Sequence, residues 1–276
     1  MSLRLERLGA RVAVAAIVAP LLAASCGRRA LFVPPVSTGV PAADAQAIWT
    51  PIATGCRATT AYRGAFGLTG QVGDRRIRGL ASARLNTALS SAGDIGLEAT
   101  VSGQLVFRLG GNADNAVLLL RDPVRTVAAR PDDILESLIG VKVGPERLLA
   151  IVAGCVTRDD VVGRAFRHDR LLEIVAGDVT VYLEPAGASW RVRAGRFDDV
   201  LVDYGAIVDG TPRDVRIQSA AAGRPAVSLD LRVQVVQTNA TLDAALFRVN
   251  VPDDAAPISL DELRRTGPLG EDTTTR

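Results

Sequence analysis

Lysine, histidine and aromatic residues are scarce in this chain of 276 residues. Lys142 is the single lysine among 32 basic residues, so almost every basic side chain is an arginine, and these arginines are interleaved with 30 acidic residues. A protein that binds nucleic acid usually presents a clustered basic surface. Because the sequence contains no such cluster, we expect no nucleic-acid partner.

The single histidine, His168, would have to serve every catalytic role that a histidine plays in a hydrolase. Its neighbours Arg167, Asp169 and Arg170 predict a solvated turn, and we identify no nucleophile and acid to accompany it. The glycines of Gly110–Asn115 (GGNADN) indicate a hairpin, since a phosphate-binding loop joins a strand to a helix. We therefore expect neither an enzyme nor a cofactor, and a hydrolase that uses His168 is the weakest alternative.

Long apolar runs are also missing, except at the N-terminus. Arg4, Arg7 and Arg11 precede an uncharged apolar run over residues 12–24, about 13 residues long. A helix that crosses a membrane needs about 20 such residues. A basic segment followed by a short apolar run is typical of a signal peptide.

The junction Leu22–Gly27 (LAASCG) resembles the lipobox of bacterial lipoproteins, in which small residues precede a cysteine. The resemblance implies that residues 1–25 are a lipoprotein signal peptide and that Cys26 is lipidated. Ala23 stands where the commonest lipobox has leucine, and an ordinary secretory signal is the alternative. Two or more acyl chains on Cys26 would anchor the protein stably to a membrane.

Cys56 and Cys155 are the two cysteines that remain after Cys26. An exported protein lies in a compartment that permits disulfides, and an even number of cysteines favours a bridge between them. In the chain-entropy model, closing a loop of about 100 residues stabilises a protein by up to about 4–5 kcal/mol. Two buried free thiols are the alternative. Because neither cysteine has the spacing of a redox or zinc site, we expect no metal.

The chain divides into segments after the signal peptide. Residues 26–40, with Pro-Pro and Ser-Thr-Gly, predict a lipidated flexible tether, residues 41–265 one domain, and residues 266–276 a disordered tail. Apolar spacing predicts a helix over residues 42–59, kinked at Pro51, and two short helices over residues 131–139 and 144–153.

Alternating apolar residues predict strands in the rest of the domain. They fall at residues 64–72, 76–85, 95–99, 104–109, 117–120, 171–176, 179–184, 190–197, 200–203, 215–219 and 226–236. In the last of them, Val227, Leu229, Leu231, Val233 and Val235 fall on one face. The order of elements predicts one α+β domain with a long antiparallel sheet and a helical insert.

These elements resemble the lipoprotein carriers LolA and LolB. The similarity rests on Arg63–Phe66 (RGAF), the loop Thr100–Gly103, the helical segment 134–154 and the ending 239–263. It implies a single strongly curved antiparallel sheet, an unclosed β-barrel, with an N-terminal helix and a two-helix insert that cover its open side. Such a fold encloses an apolar cavity for acyl chains.

The resemblance also implies which residues line that cavity, although each could equally be ordinary core. The candidates on the helices are Leu135, Leu138, Leu148, Leu149 and Val152. Those on the sheet are Phe66, Leu68, Phe107, Leu118 and Leu120. The carrier LolB has an exposed apolar residue on a loop that faces the membrane, and Val101 is its counterpart here.

Together these patterns predict a membrane-anchored, monomeric lipoprotein that binds lipid or the acyl chains of lipoproteins in envelope biogenesis. We expect it in the outer membrane facing the periplasm rather than in the inner membrane, with a periplasmic carrier protein as a possible partner. The alternative is a scaffold lipoprotein that binds an envelope protein. An apolar patch on the outside of the sheet would favour the scaffold, whereas an enclosed hollow would favour lipid.

Overall fold

A computed structural model describes residues 31–73, 75–77, 83–121, 123–219 and 226–266. The predicted signal peptide, Cys26 and all of the predicted tail except Thr266 lie outside the described residues. Within these ranges, no helix has the length and apolar character needed to cross a membrane.

The described residues form an α+β fold around one large sheet. Its strands are Val40–Pro41 (β1), Ala61–Val72 (β2), Arg75–Ile77 (β3), Arg84–Ser90 (β4), Ile95–Val101 (β5), Gln104–Gly111 (β6), Ala116–Arg121 (β7), Val124–Ala129 (β8), Arg164–His168 (β9), Leu171–Ala176 (β10), Val179–Ala186 (β11), Ser189–Phe197 (β12) and Val200–Tyr204 (β13). A separate ribbon pairs Ile207–Val208 (β14) with Thr211–Pro212 (β15), and the sheet continues with Asp214–Ser219 (β16), Val227–Thr238 (β17) and Ala256–Pro257 (β18).

The sheet is antiparallel apart from the β8–β18 pair, and it is not closed. Its order is β1-β9-β10-β11-β12-β13-β16-β17-β2-β4-β5-β6-β7-β8-β18, with β3 also paired to β2. Among the described strands, none joins β1 to β18. The prediction of an unclosed antiparallel sheet is confirmed at this level. The predicted strand over residues 76–85 corresponds to two separate strands, β3 and β4, which both pair with β2.

Within the described ranges, four α-helices accompany the sheet: Ala45–Ala58 (α1), Pro131–Ile139 (α2), Pro145–Val152 (α3) and Leu260–Thr266 (α4). Proline at the start and glycine after the end delimit α2, where Gly140 adopts a left-handed φ of 76°. The N-cap of α2 is Arg130. Asp132 lies in the first turn, where its negative charge still favours the positive end of the helix dipole.

The long strand β17 buries Val227, Leu229 and Leu231, as the alternation predicts. Val233 is half-buried and packs against the same core, so the predicted alternation holds to that residue. It fails at Val235, because the register with β2 shifts between Val233 and Val235. This bulge leaves Val235 with 55% of its surface exposed. An extra residue in one strand changes the face on which the following side chains lie.

The helices pack against the inner face of the sheet. Helix α3 contacts β2 and β4, while α2 contacts β7, β8 and α4. Apolar side chains from these helices and from most strands belong to one buried cluster. The described residues from Phe32 onward belong to one compact unit.

The outer face of the sheet is covered in two places by the chain itself. Phe32, within the predicted tether, is buried against Tyr182 with 5.0 Å between ring centroids, and its backbone N–H donates to Asp203 Oδ2 at 3.4 Å. The segment after β17 crosses β5 and β6, where the carbonyl oxygens of Leu246 and Phe247 lie over Gly96 and Gly110. Strand β18 then pairs with β8, and the last described residues form α4.

Candidate functional site

A cavity of about 140 Å³ lies between the insert helices α2 and α3 and the inner face of the sheet. Strands β2, β4, β5, β6, β16 and β17 contribute to its wall. The apolar residues of the wall are Phe66, Leu68, Val72, Ala83, Leu85, Leu97, Ala99, Val101, Val106, Phe107, Leu135, Leu138, Ile139, Val141, Val143, Leu148, Ile151, Val152, Ile217, Leu229 and Leu231.

Seven of the ten residues predicted from the sequence line this cavity. They are Phe66, Leu68, Phe107, Leu135, Leu138, Leu148 and Val152. The other three, Leu118, Leu120 and Leu149, lie outside the wall and are fully buried in the core. Leu118 and Leu120 belong to β7, beneath α2, and Leu149 points away from its neighbour Leu148 because successive helical residues differ by about 100°.

Sequence reasoning did not single out Leu97 and Ala99 of β5, and it assigned Val101 to a membrane-facing loop, although a signal for all three wall residues was present. Leu97, Ala99 and Val101 alternate with polar or small residues and so share the inner face of that strand. Ile217, Leu229 and Leu231 were placed on strands, but nothing in the sequence indicates that β16 and β17 curve round to the same cavity.

Burial distinguishes the inner end of the cavity from its mouth. Phe66, Leu97 and Leu135 are buried, and they mark the inner end. Leu68, Leu85 and Phe107 on the sheet are half-buried, as are Ile139 and Leu148 on the helices. The mouth therefore lies between the tip of the helical insert and the ends of β2, β4 and β6.

Val101 belongs to the wall near this mouth. It is the last residue of β5, is half-buried and faces the cavity. The turn that follows consists of Ser102 and Gly103, both with positive φ, and carries no apolar side chain. The predicted loop Thr100–Gly103 is thus shorter than expected, and Val101 does not lie on it.

Three polar residues, Arg84, Thr87 and Thr100, complete the wall. Arg84 begins β4 at the mouth, and its Nε donates to Gln234 Oε1 at 3.0 Å. Thr87 lies at the inner end with 4% of its surface exposed, and its hydroxyl has no hydrogen-bond partner among the described residues. Thr100 is half-buried.

The insert is fastened at the C-terminal end of α3. The predicted disulfide joins Cys155 to Cys56 of α1, with 5.8 Å between their Cα atoms. Arg158 then donates to the backbone oxygens of Thr59 and Arg57 at 2.8 and 3.0 Å. These bonds hold the end of α3 against α1.

Helix α4 fastens α2 on the other side. Leu263 is fully buried in the main core. Arg125 of β8 donates to Thr266 Oγ1 at 2.9 Å, which attaches the end of α4 to the edge of the sheet. Lys142 joins the loop after α2 back to that helix, since its Nζ lies 2.8 Å from Asp133 Oδ1.

His168 lies apart from the cavity, at the end of β9. Its imidazole has only 8% of its surface exposed and its Nε2 lies 3.2 Å from Glu173 Oε2, so the solvated environment expected for it is wrong. The side chain packs against Gly39, on the strand-forming segment that precedes α1. No group of three or more metal-ligating side chains occurs within the described ranges.

The chain matches no protein-family model, and it matches no curated protein sequence. Several solved structures are similar to it. One is an outer membrane lipoprotein-sorting protein domain from Vibrio parahaemolyticus, with 12% identity over 72% of this chain and 98% of that one, and a TM-score of 0.42. Another is a DUF1329 family protein from Desulfovibrio piger, with 10% identity over 74% and 96% and a TM-score of 0.45.

A third is the lipoprotein LppX from Mycobacterium tuberculosis, with 15% identity over 72% of this chain and 96% of that one, and a TM-score of 0.30. Superpositions at these scores are loose. The function of the cavity is therefore inferred from the residues that line it.

Proposed function

We propose that the protein binds the acyl chain of a lipid or lipoprotein in the cavity between the helical insert and the sheet. The observation that carries the proposal is the composition of the wall, in which all but three residues are apolar. An apolar cavity of about 150 Å³ remains dry and accepts a guest as large as benzene. Hydrocarbon is thus the chemistry that this wall accommodates.

The size of the cavity sets a condition on binding. At about 140 Å³ it is smaller than the roughly 300–1,000 Å³ that surround a drug-sized ligand. Each buried methylene contributes about 0.8 kcal/mol, whereas association itself costs about 4–15 kcal/mol. A short stretch of chain therefore binds weakly. Tight binding requires that the insert moves outward at the mouth, so that more of the acyl chain is enclosed.

The distribution of apolar surface supports lipid over a protein partner. Four exposed large apolar side chains of the described residues, Leu31, Val33, Val36 and Val40, lie in the segment that precedes α1. The other four, Val161, Val208, Val235 and Val251, belong to separate elements. The apolar patch around Tyr182 on the outside of the sheet is filled by Phe32. A scaffold that docks through the outer face would need such a patch to be open.

The remaining parts of the proposal follow from the sequence. Cys26 would carry the acyl anchor, and the domain would act at the outer membrane facing the periplasm, as a monomer and without catalysis. A periplasmic carrier protein would deliver the cargo. Because Phe32 is docked, six residue steps at most separate the anchor from the domain. They span about 20 Å when extended, which keeps the domain near the membrane surface.

Native mass spectrometry of protein purified without detergent tests the proposal. We expect a lipid adduct on the wild-type domain and a weaker one on A99F, which fills the cavity from β5. The control is V235F at an exposed position of β17 outside the cavity wall, which would leave the adduct unchanged. Wild-type protein that carries no lipid, and takes none up from added fatty acid, would contradict the proposal.

A further inference from the structure

A groove of about 550 Å³ lies on the outer face of the sheet, opposite the face that lines the acyl cavity. Strands β2, β4 and β5 form its floor, where Ala65, Ala88 and Gly96 carry small side chains or none. Leu246, in the segment that crosses the sheet, borders the groove on one side, and Gln237 of β17 borders it on the other. Sites for small ligands measure roughly 300–1,000 Å³, so the groove has room for a polar headgroup.

Three arginines surround this floor, and each comes from a different strand. They are Arg63 of β2, Arg84 of β4 and Arg108 of β6. Arg63 is the register partner of Ala88, and Arg84 lies four residues before Ala88 on the same face of β4. Arg108 is the register partner of Glu98 in β5, so it lies two strands from β4, at about 4.8 Å per strand. The three guanidinium groups can therefore approach one ligand from different sides.

The described residues leave most of this positive charge without a counterion. Arg63 is exposed and forms no ion pair or hydrogen bond with them. Arg84 and Arg108 donate to neutral oxygens among them, the side-chain amide of Gln234 at 3.0 Å and a backbone carbonyl at 3.2 Å. Glu98 is the single carboxylate in the lining of the groove. Three positive charges thus face one negative charge.

The chemistry of these side chains fits a phosphate group. The guanidinium group of arginine stays charged, and its planar fork binds phosphate with two parallel hydrogen bonds. A phosphate carries oxygens on several sides, so it can accept hydrogen bonds from arginines that belong to different strands. Glu98 opposes an anion, but it is occupied by Asn86, whose side-chain amide donates to its Oε1 at 3.3 Å.

The position of the domain favours a lipid as the source of the phosphate. With Cys26 as the anchor, the chain before Phe32 spans about 20 Å at most, so the domain stays close to a bilayer. Phospholipid headgroups carry a phosphodiester, and they are the phosphate groups present there at high local concentration. An anionic membrane surface also attracts basic side chains near it.

We propose that the groove with Arg63, Arg84 and Arg108 binds the phosphodiester of an anionic phospholipid headgroup. The inference goes beyond acyl binding, and it takes from the proposed function only the location at a membrane. It gives the outer face of the sheet a lipid contact of its own, on the side of β2, β4 and β5 that faces away from the acyl cavity.

Co-sedimentation with vesicles tests this site. The mature chain without its acyl anchor, residues 27–276, keeps every described residue. It is mixed with vesicles of phosphatidylcholine alone or of phosphatidylcholine with phosphatidylglycerol. We expect binding to the anionic vesicles, and about five-fold weaker binding for R63Q. R170Q is the matched control, because Arg170 is exposed in the turn after β9, outside the groove, and its substitution removes the same charge. Its binding should equal that of the wild type.

E98Q gives a change of the opposite sign. It removes the negative charge of the groove but keeps an acceptor for Asn86, so anionic vesicles should bind about two-fold more tightly. A purely structural role of the arginines would leave this affinity unchanged. Equal losses in R63Q and R170Q would overturn the site, because they would reduce the effect to net charge. Unchanged binding of R63Q would overturn it as well.

Two further measurements separate this site from its alternatives. In an NMR titration with inorganic phosphate, shifts of the Arg63 and Arg108 Nε–H signals without any binding to vesicles would overturn a lipid headgroup as the occupant. Uptake of fatty acid is measured separately by native mass spectrometry. Protein that takes up fatty acid but ignores anionic vesicles contradicts the groove alone, and protein that does the reverse contradicts the proposed function alone.

Discussion

Tyr204 of β13 donates a hydrogen bond from its buried hydroxyl to the backbone oxygen of Ile151, 2.9 Å away. Ile151 lies in the last turn of α3, four residues before Cys155, which is bonded to Cys56. The C-terminal end of α3 is therefore held by both the sheet and α1. Leu148, in the middle of α3, is half-buried at the mouth of the cavity.

The Tyr204 hydrogen bond is expected to stabilise the fold measurably. In Y204F the carbonyl oxygen of Ile151 loses the Tyr204 hydroxyl but keeps the Gly154 N–H as a donor, so we expect a loss of about 0.5–1.5 kcal/mol. Urea unfolding measures the difference. Y182F is the matched control, since the Tyr182 hydroxyl forms no hydrogen bond with the described residues, and we expect its stability to equal that of the wild type. Equal losses in both variants would contradict this role.

Burial raises the pKa of Tyr204 well above its ordinary value of 10.0. The ionised phenolate is thus strongly disfavoured in the folded protein, whereas it forms freely in the unfolded chain. Because the folded pKa is raised, the stability that the neutral hydroxyl provides is complete below pH 10 and declines above it. Burial also raises the pKa of Tyr62. Stability measured against pH should fall more steeply in the alkaline range for the wild type than for Y204F.

Removal of the disulfide should destabilise the protein and loosen the insert. The bridge closes a loop between residues 99 positions apart, and native disulfides contribute about 2–5 kcal/mol. We expect C56A/C155A to show this loss in urea. Hydrogen exchange should become faster at the end of α3 than in α2, which α4 still holds. A reductant should change the wild type but not the double variant, and uniform protection of α3 in both would refute the fastening role.

The crossing of the C-terminal segment over β6 requires glycine at position 110. A Cβ there would lie 2.7 Å from the carbonyl oxygen of Phe247. We expect G110A to displace this segment, with faster hydrogen exchange at residues 244–249. G55A is the control, because a Cβ at Gly55 meets nothing within 4 Å and alanine favours a helix by about 0.5–1 kcal/mol. The control should therefore be more stable than the wild type.

Leu263 connects α4 to the core, and its truncation should release α2. The side chain is fully buried, and Leu→Ala substitutions at such positions destabilise by about 2–5 kcal/mol. L263A should show this loss in denaturant unfolding. It should also bind a fluorescent fatty acid faster than the wild type, because the insert is then held at one side only. L260A, at a half-buried position of the same helix, should show a smaller effect on both.

Local patterns in the sequence predicted much of this fold. The bounds of α2 follow from Pro131 and Gly140, and β10 was predicted without error at both ends. Strands β8 and β9 were missed because polar side chains interrupt the apolar alternation. These are Arg125 and Thr126 in β8, and Arg164 and Arg167 in β9. The bulge in β17 was missed as well, since a shift of pairing depends on the partner strand rather than on local spacing.

The cavity itself could be predicted only in part. Alternation identifies which residues of a strand face inward, as at Phe66 and Leu68, but it does not separate a cavity wall from a packed core. Leu118 illustrates the point. The apolar pattern around it in β7 is like that of the cavity residues, but α2 packs on β7 and Leu118 is fully buried in the core. The unpartnered Thr87 hydroxyl has no sequence signature, since an isolated threonine in a strand usually faces solvent or finds a partner.

Intermolecular NOEs between a bound fatty acid and the methyl groups of the domain test acyl binding in this cavity most directly. We predict NOEs from the acyl chain to the inner methyls of Leu97 and Leu138 and to Leu148 at the mouth. NOEs confined to surface methyls such as Val161 and Val235, with none to Leu97, would show that the chain binds elsewhere and would contradict the proposal.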